Sequence, residues 1–372
     1  MILSDLINFC NVMRDPLQTI KPAVRAIKAY SLHPHRAAIK INQNENPFDM
    51  PQEIKDEVAR RLATRPWSRY PDFVPSDLLD QLAAFAGWIP EGTLAGNGSN
   101  ELIQAVLAVL VGPGVNVVIS EPTFTLYRQI VMIFGGEVTP VPLTSRLEFD
   151  IPALTAVTRD LRAEVLILCS PNNPTGCRIE DEDLIELARG FEGIVIVDEA
   201  YHEFSRHSVV PLLKALPNLI VLRTFSKAMA MAGLRVGYML ASPELAREVH
   251  KATLPYNLNF VSSTVAAVAC ERYDTILKPL VVRLIDERDL LLTRIRQIPG
   301  LDPVPSHANF FLVKSALDPQ ELFEELLDRD ILVRDVSHYP MLGRYLRLSV
   351  GKPEENEAVV SALRDIMSNR DG

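Results

Sequence analysis

Lys227 is the residue of this chain best placed to do covalent chemistry. It lies in Thr224-Phe225-Ser226-Lys227-Ala228-Met229-Ala230-Met231-Ala232-Gly233-Leu234-Arg235, just after the apolar run Leu219 to Leu222. Small and apolar neighbours desolvate an amine, and a nearby arginine adds a like charge; both lower a lysine pKa. A neutral amine attacks carbonyls. The hydroxyls of Thr224 and Ser226, together with Arg235, suit a phosphate.

A reactive amine beside an anion cradle points to pyridoxal phosphate held as a Schiff base. The rest of the chain must then supply a partner for a pyridine nitrogen, a stacking ring and more phosphate donors. Asp198 ends the apolar run Ile194 to Val197 and opens Asp198-Glu199-Ala200-Tyr201. A carboxylate at the end of a buried strand is costly unless paired, which makes Asp198 a site candidate. Leu94-Ala95-Gly96-Asn97-Gly98-Ser99-Asn100-Glu101 opens a helix with Leu102, Ile103, Val106, Leu107 and Leu110 at helical spacing. Glycines at a helix start let backbone N–H groups approach an anion. Phe124, in Glu121-Pro122-Thr123-Phe124 beyond the strand Val115 to Ile119, could stack on a flat ring or sit in the core. Asn173 belongs to the stiff turn Ser170-Pro171-Asn172-Asn173-Pro174-Thr175-Gly176, whose asparagines can donate hydrogen bonds to one face. The stretches Asn42 to Pro47 and Arg69-Tyr70-Pro71 read as loops on pattern alone.

Strands and helices alternate between residues 90 and 240, and the strands look buried, which predicts a mainly parallel α/β sheet. The motifs fall at strand C-termini and should converge on one edge. Beyond Gly237 long helices fill 243–298. A strand, a helix over 319–329, two strands and a final helix over 354–367 then predict a small α+β domain. A chain of 372 residues exceeds what one core usually supports. The expected division is 1–65 for an N-terminal arm and part of the small domain, 66–265 for a large ligand-binding domain and 266–372 for the small domain.

The formal charge of -9 disfavours nucleic acid as a partner and leaves no basic membrane-binding face. Cys10, Cys169, Cys177 and Cys270 form no CxxC pair and no metal-ligand spacing, which suggests a reducing compartment and no bound metal. The first residues lack a basic stretch and are interrupted by Asp5, a poor secretory signal. The apolar run Ala105 to Gly112 is too short to span a bilayer. A cytoplasmic protein is the expectation.

Taken in order, NENP (44–47), RYP (69–71), GNGSNE (96–101), EPTF (121–124), SPNNPTG (170–176), DEAY (198–201), TFSKAMAMAGLRVGY (224–238), ANFFLV (308–313), VRD (333–335) and YLRLSVG (345–351) form a specific set. The chain resembles the pyridoxal-phosphate-dependent aminotransferases of fold type I, class I/II, over nearly its whole length. Within them it is similar to the histidinol-phosphate aminotransferase branch. The resemblance implies Lys227 as the Schiff-base lysine and proton shuttle, and Asp198 as partner of the pyridine nitrogen. Tyr201 and Asn173 would bond the ring's phenolic oxygen, and Phe124 would stack on the ring. Gly98, Ser99, Asn100, Thr224, Ser226 and Arg235 would hold the phosphate, joined by Tyr70 from the partner of an obligate homodimer. Arg347 would grip the substrate's anionic end and Arg334 its phosphate, with Tyr30 and Asn44 as further substrate contacts. The implied substrates are a phosphorylated amino donor and a 2-oxo acid. Threonine-phosphate decarboxylase and aromatic-amino-acid aminotransferase share these cofactor motifs. A pyridoxal-phosphate-binding regulatory module is a further alternative, for which the acidic chain offers no basic domain.

Overall fold

The structure, a computed structural model, describes residues 15–29 and 35–368. Its strands are β1 (Ile39–Lys40), β2 (Thr93–Gly96), β3 (Asn116–Glu121), β4 (Glu137–Pro142), β5 (Val165–Cys169), β6 (Ile194–Asp198), β7 (Leu219–Thr224), β8 (Gly237–Leu240), β9 (Leu301–Pro303), β10 (Phe310–Ser315), β11 (Ile331–Leu332), β12 (Arg334–Asp335) and β13 (Tyr345–Ser349). A seven-stranded sheet has the order β2-β8-β7-β6-β5-β3-β4. Only β8 runs against its neighbours, so the sheet is mainly parallel.

The central strands are mostly Val, Ile and Leu because both faces are covered. Successive side chains alternate between two cores. Leu166, Leu168, Val195, Val197, Leu219 and Val221 enter one. Val165, Ile167, Cys169, Ile196, Ile220 and Leu222 enter the other. A register shift of one residue in β6 would swap these faces, so the alignment of Cys169 with Asp198 is strongly specified. Because β3, β5, β6 and β7 are parallel, their C-terminal ends share one edge. That edge carries Glu121, Cys169, Asp198 and Thr224.

A second, four-stranded sheet has the order β12-β13-β10-β9. Its own core gathers Phe311, Val313, Leu346 and Leu348 with Leu291, Ile295, Leu322, Val359 and Leu363 from the helices Lys278–Arg296, Pro319–Leu327 and Pro353–Ser368. Met50, Ile54 and Val58, by contrast, join the core of the large sheet.

Two local expectations change. Residues 93–96 are an edge strand antiparallel to β8, and the helix begins only at Ser99. The stretch 243–298 is broken into Pro243–His250, Phe260–Glu271 and Lys278–Arg296, the last two joined by a π-helical turn, Tyr273–Leu277. Among the described residues no helix is long and apolar enough to cross a membrane.

Candidate active site

At the shared strand edge, under the four-stranded sheet, lies a cavity of about 230 Å³. Lys227, Asp198, Tyr201, Ser99, Asn100, Phe124, Asn173, Thr224, Ser226, Arg235, Arg334, Arg347 and Asn44 all line it. Gly98 precedes the lining residue Ser99 and lies against Arg235. Its φ of +84° suits glycine, and a Cβ there would come within 2.6 Å of Arg235 Nη2. Tyr70 is not in this cavity; it is 81% exposed and stacks on Tyr256 at 4.7 Å. Tyr30 lies outside the described residues.

Lys227 Nζ donates to the Gln43 carbonyl at 2.8 Å. Desolvation first, then the charge of Arg347, brings its amine down to about 8. A proton-transfer group near the operating pH is what general acid–base chemistry needs. Asp198 is buried at the end of β6, and burial pushes its carboxyl up to about 6. Tyr127 donates to its Oδ2 at 2.7 Å and Ala200 N to Oδ1 at 3.1 Å, both favouring the ionised form. No cation pairs with Asp198 among the described residues, so a cationic ring nitrogen would meet a carboxylate ready for it.

The anion end is built from three elements. The helix Ser99–Leu110 starts without a side-chain cap, leaving its first N–H groups to a ligand. Arg235 Nη1 donates to Ser226 Oγ at 3.1 Å and to the Ala232 carbonyl at 3.0 Å, which fixes the guanidinium beside Gly98. Thr224 Oγ1 accepts from Ser226 N at 3.1 Å, closing the turn after β7. Half-buried Phe124 meets Tyr127 edge-on at 5.5 Å and leaves a face for a planar ring.

The opposite wall comes from the small sheet. β12 and β13 pair antiparallel with Arg334 directly across from Arg347, so both side chains project to the same face. Arg347 is buried; its Nη1 donates to Asn173 Oδ1 at 2.6 Å and its Nη2 to the Asn42 carbonyl at 2.7 Å. Asp335, the obvious local partner for Arg334, instead accepts from Ser337 N at 2.8 Å. Asn44 Nδ2 donates to Tyr201 Oη at 3.0 Å, and Asn44 Oδ1 accepts from Ser349 Oγ at 2.8 Å. Those bonds pin the 42–44 segment between the two sheets.

Tyr127, Cys169, Asn42, Gln43, Val336 and Tyr339 also line the cavity and were absent from the expected set. Tyr127 follows Phe124 by one turn on the apolar helix Leu126–Phe134, where an aromatic reads as core. Gln43 acts through its backbone carbonyl, which no side-chain pattern announces. The arrangement suits a flat ring with a cationic nitrogen and an anionic tail, reached by an amine. A second anion would fit between the paired arginines.

The profile of aminotransferase class I and II matches residues 36–363. A histidinol-phosphate aminotransferase of Chlorobium phaeobacteroides is 39% identical over 354 residues, covering 94% of this chain and 98% of that relative. The namesake from Chlorobium phaeovibrioides is 37% identical over 354 residues, 95% of this chain and 98% of the relative. Among solved structures, the histidinol-phosphate aminotransferase of Sinorhizobium meliloti in complex with pyridoxal-5'-phosphate superposes with a TM-score of 0.85 at 25% identity, covering 94% and 97% of the two chains. The chain belongs to the class I and II aminotransferases, on their histidinol-phosphate aminotransferase branch.

Proposed function

We propose that this chain transfers the amino group between L-histidinol phosphate and 2-oxoglutarate in histidine biosynthesis, with pyridoxal phosphate as cofactor. The observation that carries the reading is Arg334 facing the same cavity as Arg347, across from Lys227 and Asp198. One guanidinium suffices for a carboxylate, whereas a phosphate dianion takes forked hydrogen bonds from two.

When bound, pyridoxal phosphate supplies a carbonyl that captures amines and a pyridinium ring that draws electrons from the substrate's Cα. The chain does the rest. Ser99 and Asn100 amides, the hydroxyls of Thr224 and Ser226, and Arg235 hold the phosphate beside Gly98. Phe124 stacks on the ring. Asp198 keeps the ring nitrogen protonated, and a cation there lowers the aspartate pKa from its raised value of about 6. Tyr201 and Asn173 bond the phenolic oxygen. Lys227 Nζ takes the proton from Cα and returns it, and Asn44 holds Tyr201 in place for that exchange. Arg347 grips the anionic end of either substrate, and Arg334 reads the phosphate.

The same reading divides the chain at about residues 65 and 265, places it in the cytoplasm and makes it a homodimer. The thiols of Cys169, Cys177 and Cys270 are free, which supports a reducing compartment. Exposed Tyr70 lies beside exposed Trp67, Phe73 and Tyr256, a patch suited to a second copy whose phosphate site Tyr70 would complete. Mixing Lys227→Ala and Tyr70→Ala subunits should restore activity in heterodimers, one site of which carries neither lesion. No recovery in demonstrated heterodimers would place Tyr70 in its own chain's service.

Substrate choice is tested by incubating the holoenzyme separately with histidinol phosphate, threonine phosphate and phenylalanine. Histidinol phosphate should convert the cofactor to its pyridoxamine form fastest. Release of carbon dioxide from threonine phosphate, or fastest conversion by phenylalanine, would overturn the assignment.

A further inference from the structure

Tyr201 serves a phenolic oxygen only when its hydroxyl proton points into the cavity, and that proton can turn about the C–O bond. A chain of buried groups behind the tyrosine fixes the direction. Ser349 Oγ accepts from Asn44 N at 3.0 Å, so its single proton goes to Asn44 Oδ1, 2.8 Å away. That turns the other end of the amide, Nδ2, toward Tyr201 Oη, to which it donates at 3.0 Å. An oxygen that accepts from Asn44 keeps its own proton for the cavity that Tyr201 lines.

The chain is held on both sides. Asn309 Nδ2 donates to the Asn44 carbonyl at 3.1 Å, and Ser349 N donates to the Ile41 carbonyl at 3.0 Å. Asn44, Ser349 and Tyr201 are 1%, 2% and 4% exposed, so water has little room to replace a link. Ser349 also lies two residues beyond Arg347 on β13, on the same face of that strand. The strand that carries Arg347 therefore also reaches Tyr201.

We propose that Ser349 is a positioning residue of the reaction: its hydroxyl orients the Asn44 amide, and the amide aims the Tyr201 proton at the cofactor. The inference rests on the cofactor reading given under Proposed function. Without the hydroxyl, neither end of the amide is preferred. The turned amide presents Oδ1 to Tyr201 and draws the proton away from the cavity.

The test is a pH titration of the holoenzyme's visible absorbance without substrate. A donor to the phenolic oxygen favours the form of the Lys227–cofactor imine that has lost its proton, and so lowers the midpoint. Ser349→Ala should raise the midpoint by about one pH unit, the worth of a hydrogen bond to a charged group. Ser349→Thr keeps the hydroxyl and should titrate like the wild type. In a Tyr201→Phe background Ser349→Ala should add nothing. The charged groups facing Lys227, namely Arg347, Arg235, Asp198, Lys40 and Glu45, are present in all of these variants. An unmoved midpoint in Ser349→Ala, or an equal rise with and without the Tyr201 hydroxyl, overturns the assignment. Should Ser349→Ala fail to fold, Asn44→Asp, whose ionised side chain can only accept, must raise the midpoint through Tyr201; no rise, or one that persists in Tyr201→Phe, overturns it alone. A wild-type protein without a titrating visible band would overturn the cofactor reading itself, and this inference with it.

Discussion

The floor and the wall of the reaction cavity hold their charges differently. On the floor, Asp198 is fixed by Tyr127 and Ala200 N, and Lys227 by the Gln43 carbonyl, all before any ligand arrives. On the wall, Arg347 is equally committed, to Asn173 and Asn42. Its cross-strand neighbour Arg334 is half-buried and makes no ion pair among the described residues. On the proposed reading, the groups that every turnover would need are preorganised, which is where electrostatic catalysis draws its strength, and the group that would discriminate between substrates is left open to the one that fits.

The largest effect should come from the floor. Asp198→Asn should keep the fold and lower kcat by roughly 10²–10³-fold, the scale seen when a preorganised electrostatic partner is lost. Near-normal kcat in the cofactor-saturated variant would remove Asp198 from that role. On the wall, Arg334→Ala should cut kcat/KM for histidinol phosphate by about 10- to 150-fold, from charge-assisted bonds of roughly 1.5–3 kcal/mol. It should hardly touch an unphosphorylated aromatic substrate, whereas Arg347→Ala should damage both. Equal losses in Arg334→Ala on phosphorylated and unphosphorylated donors would erase the distinction between the two arginines.

Smaller effects sharpen the floor itself. Tyr127→Phe removes a donor that favours the ionised carboxylate, so Asp198 in the apoenzyme should titrate higher, by about one pH unit for a bond of roughly 1.5 kcal/mol. Carbon-13 NMR of the Asp198 carboxyl reads this directly; an unmoved midpoint near 6 would show that Tyr127 only packs. Lys227 is depressed from 10.5 to about 8, so the unfolded chain binds its proton more tightly than the folded one. The charged amine therefore weighs against the apoenzyme below pH 8, and the penalty fades as pH rises toward 10.5. Lys227→Met should raise the apoenzyme's thermal midpoint at pH 7 by a few degrees and lose that advantage near pH 10. A pH-independent difference would refute the electrostatic cause.

Lys227 and Asp198 were readable from sequence because each stands at the end of an apolar run, where a polar residue needs a reason. The paired arginines were readable as types; their facing register depends on how β12 meets β13, which spacing alone leaves open. The last two helices emerged close to expectation, Pro319–Leu327 against 319–329 and Pro353–Ser368 against 354–367, because their apolar period is strong. The strand Thr93–Gly96 did not, since four residues leading into glycines carry little alternation. Tyr127 stayed hidden because its ring packs like any core aromatic and only its hydroxyl matters.

The register of Arg334 against Arg347 also bears on how this chain can vary in length. Side chains on a strand alternate faces, so a slip of one residue between β12 and β13 would turn Arg334 away from the cavity while leaving Arg347 in place. The connecting stretch 336–344 can absorb an insertion only if its two ends still deliver the strands in step. Gains or losses there that move the register by an even number of residues would keep the arginine's side and change its depth. Odd ones would turn the proposed phosphate reader into a surface cation without altering a single active-site letter.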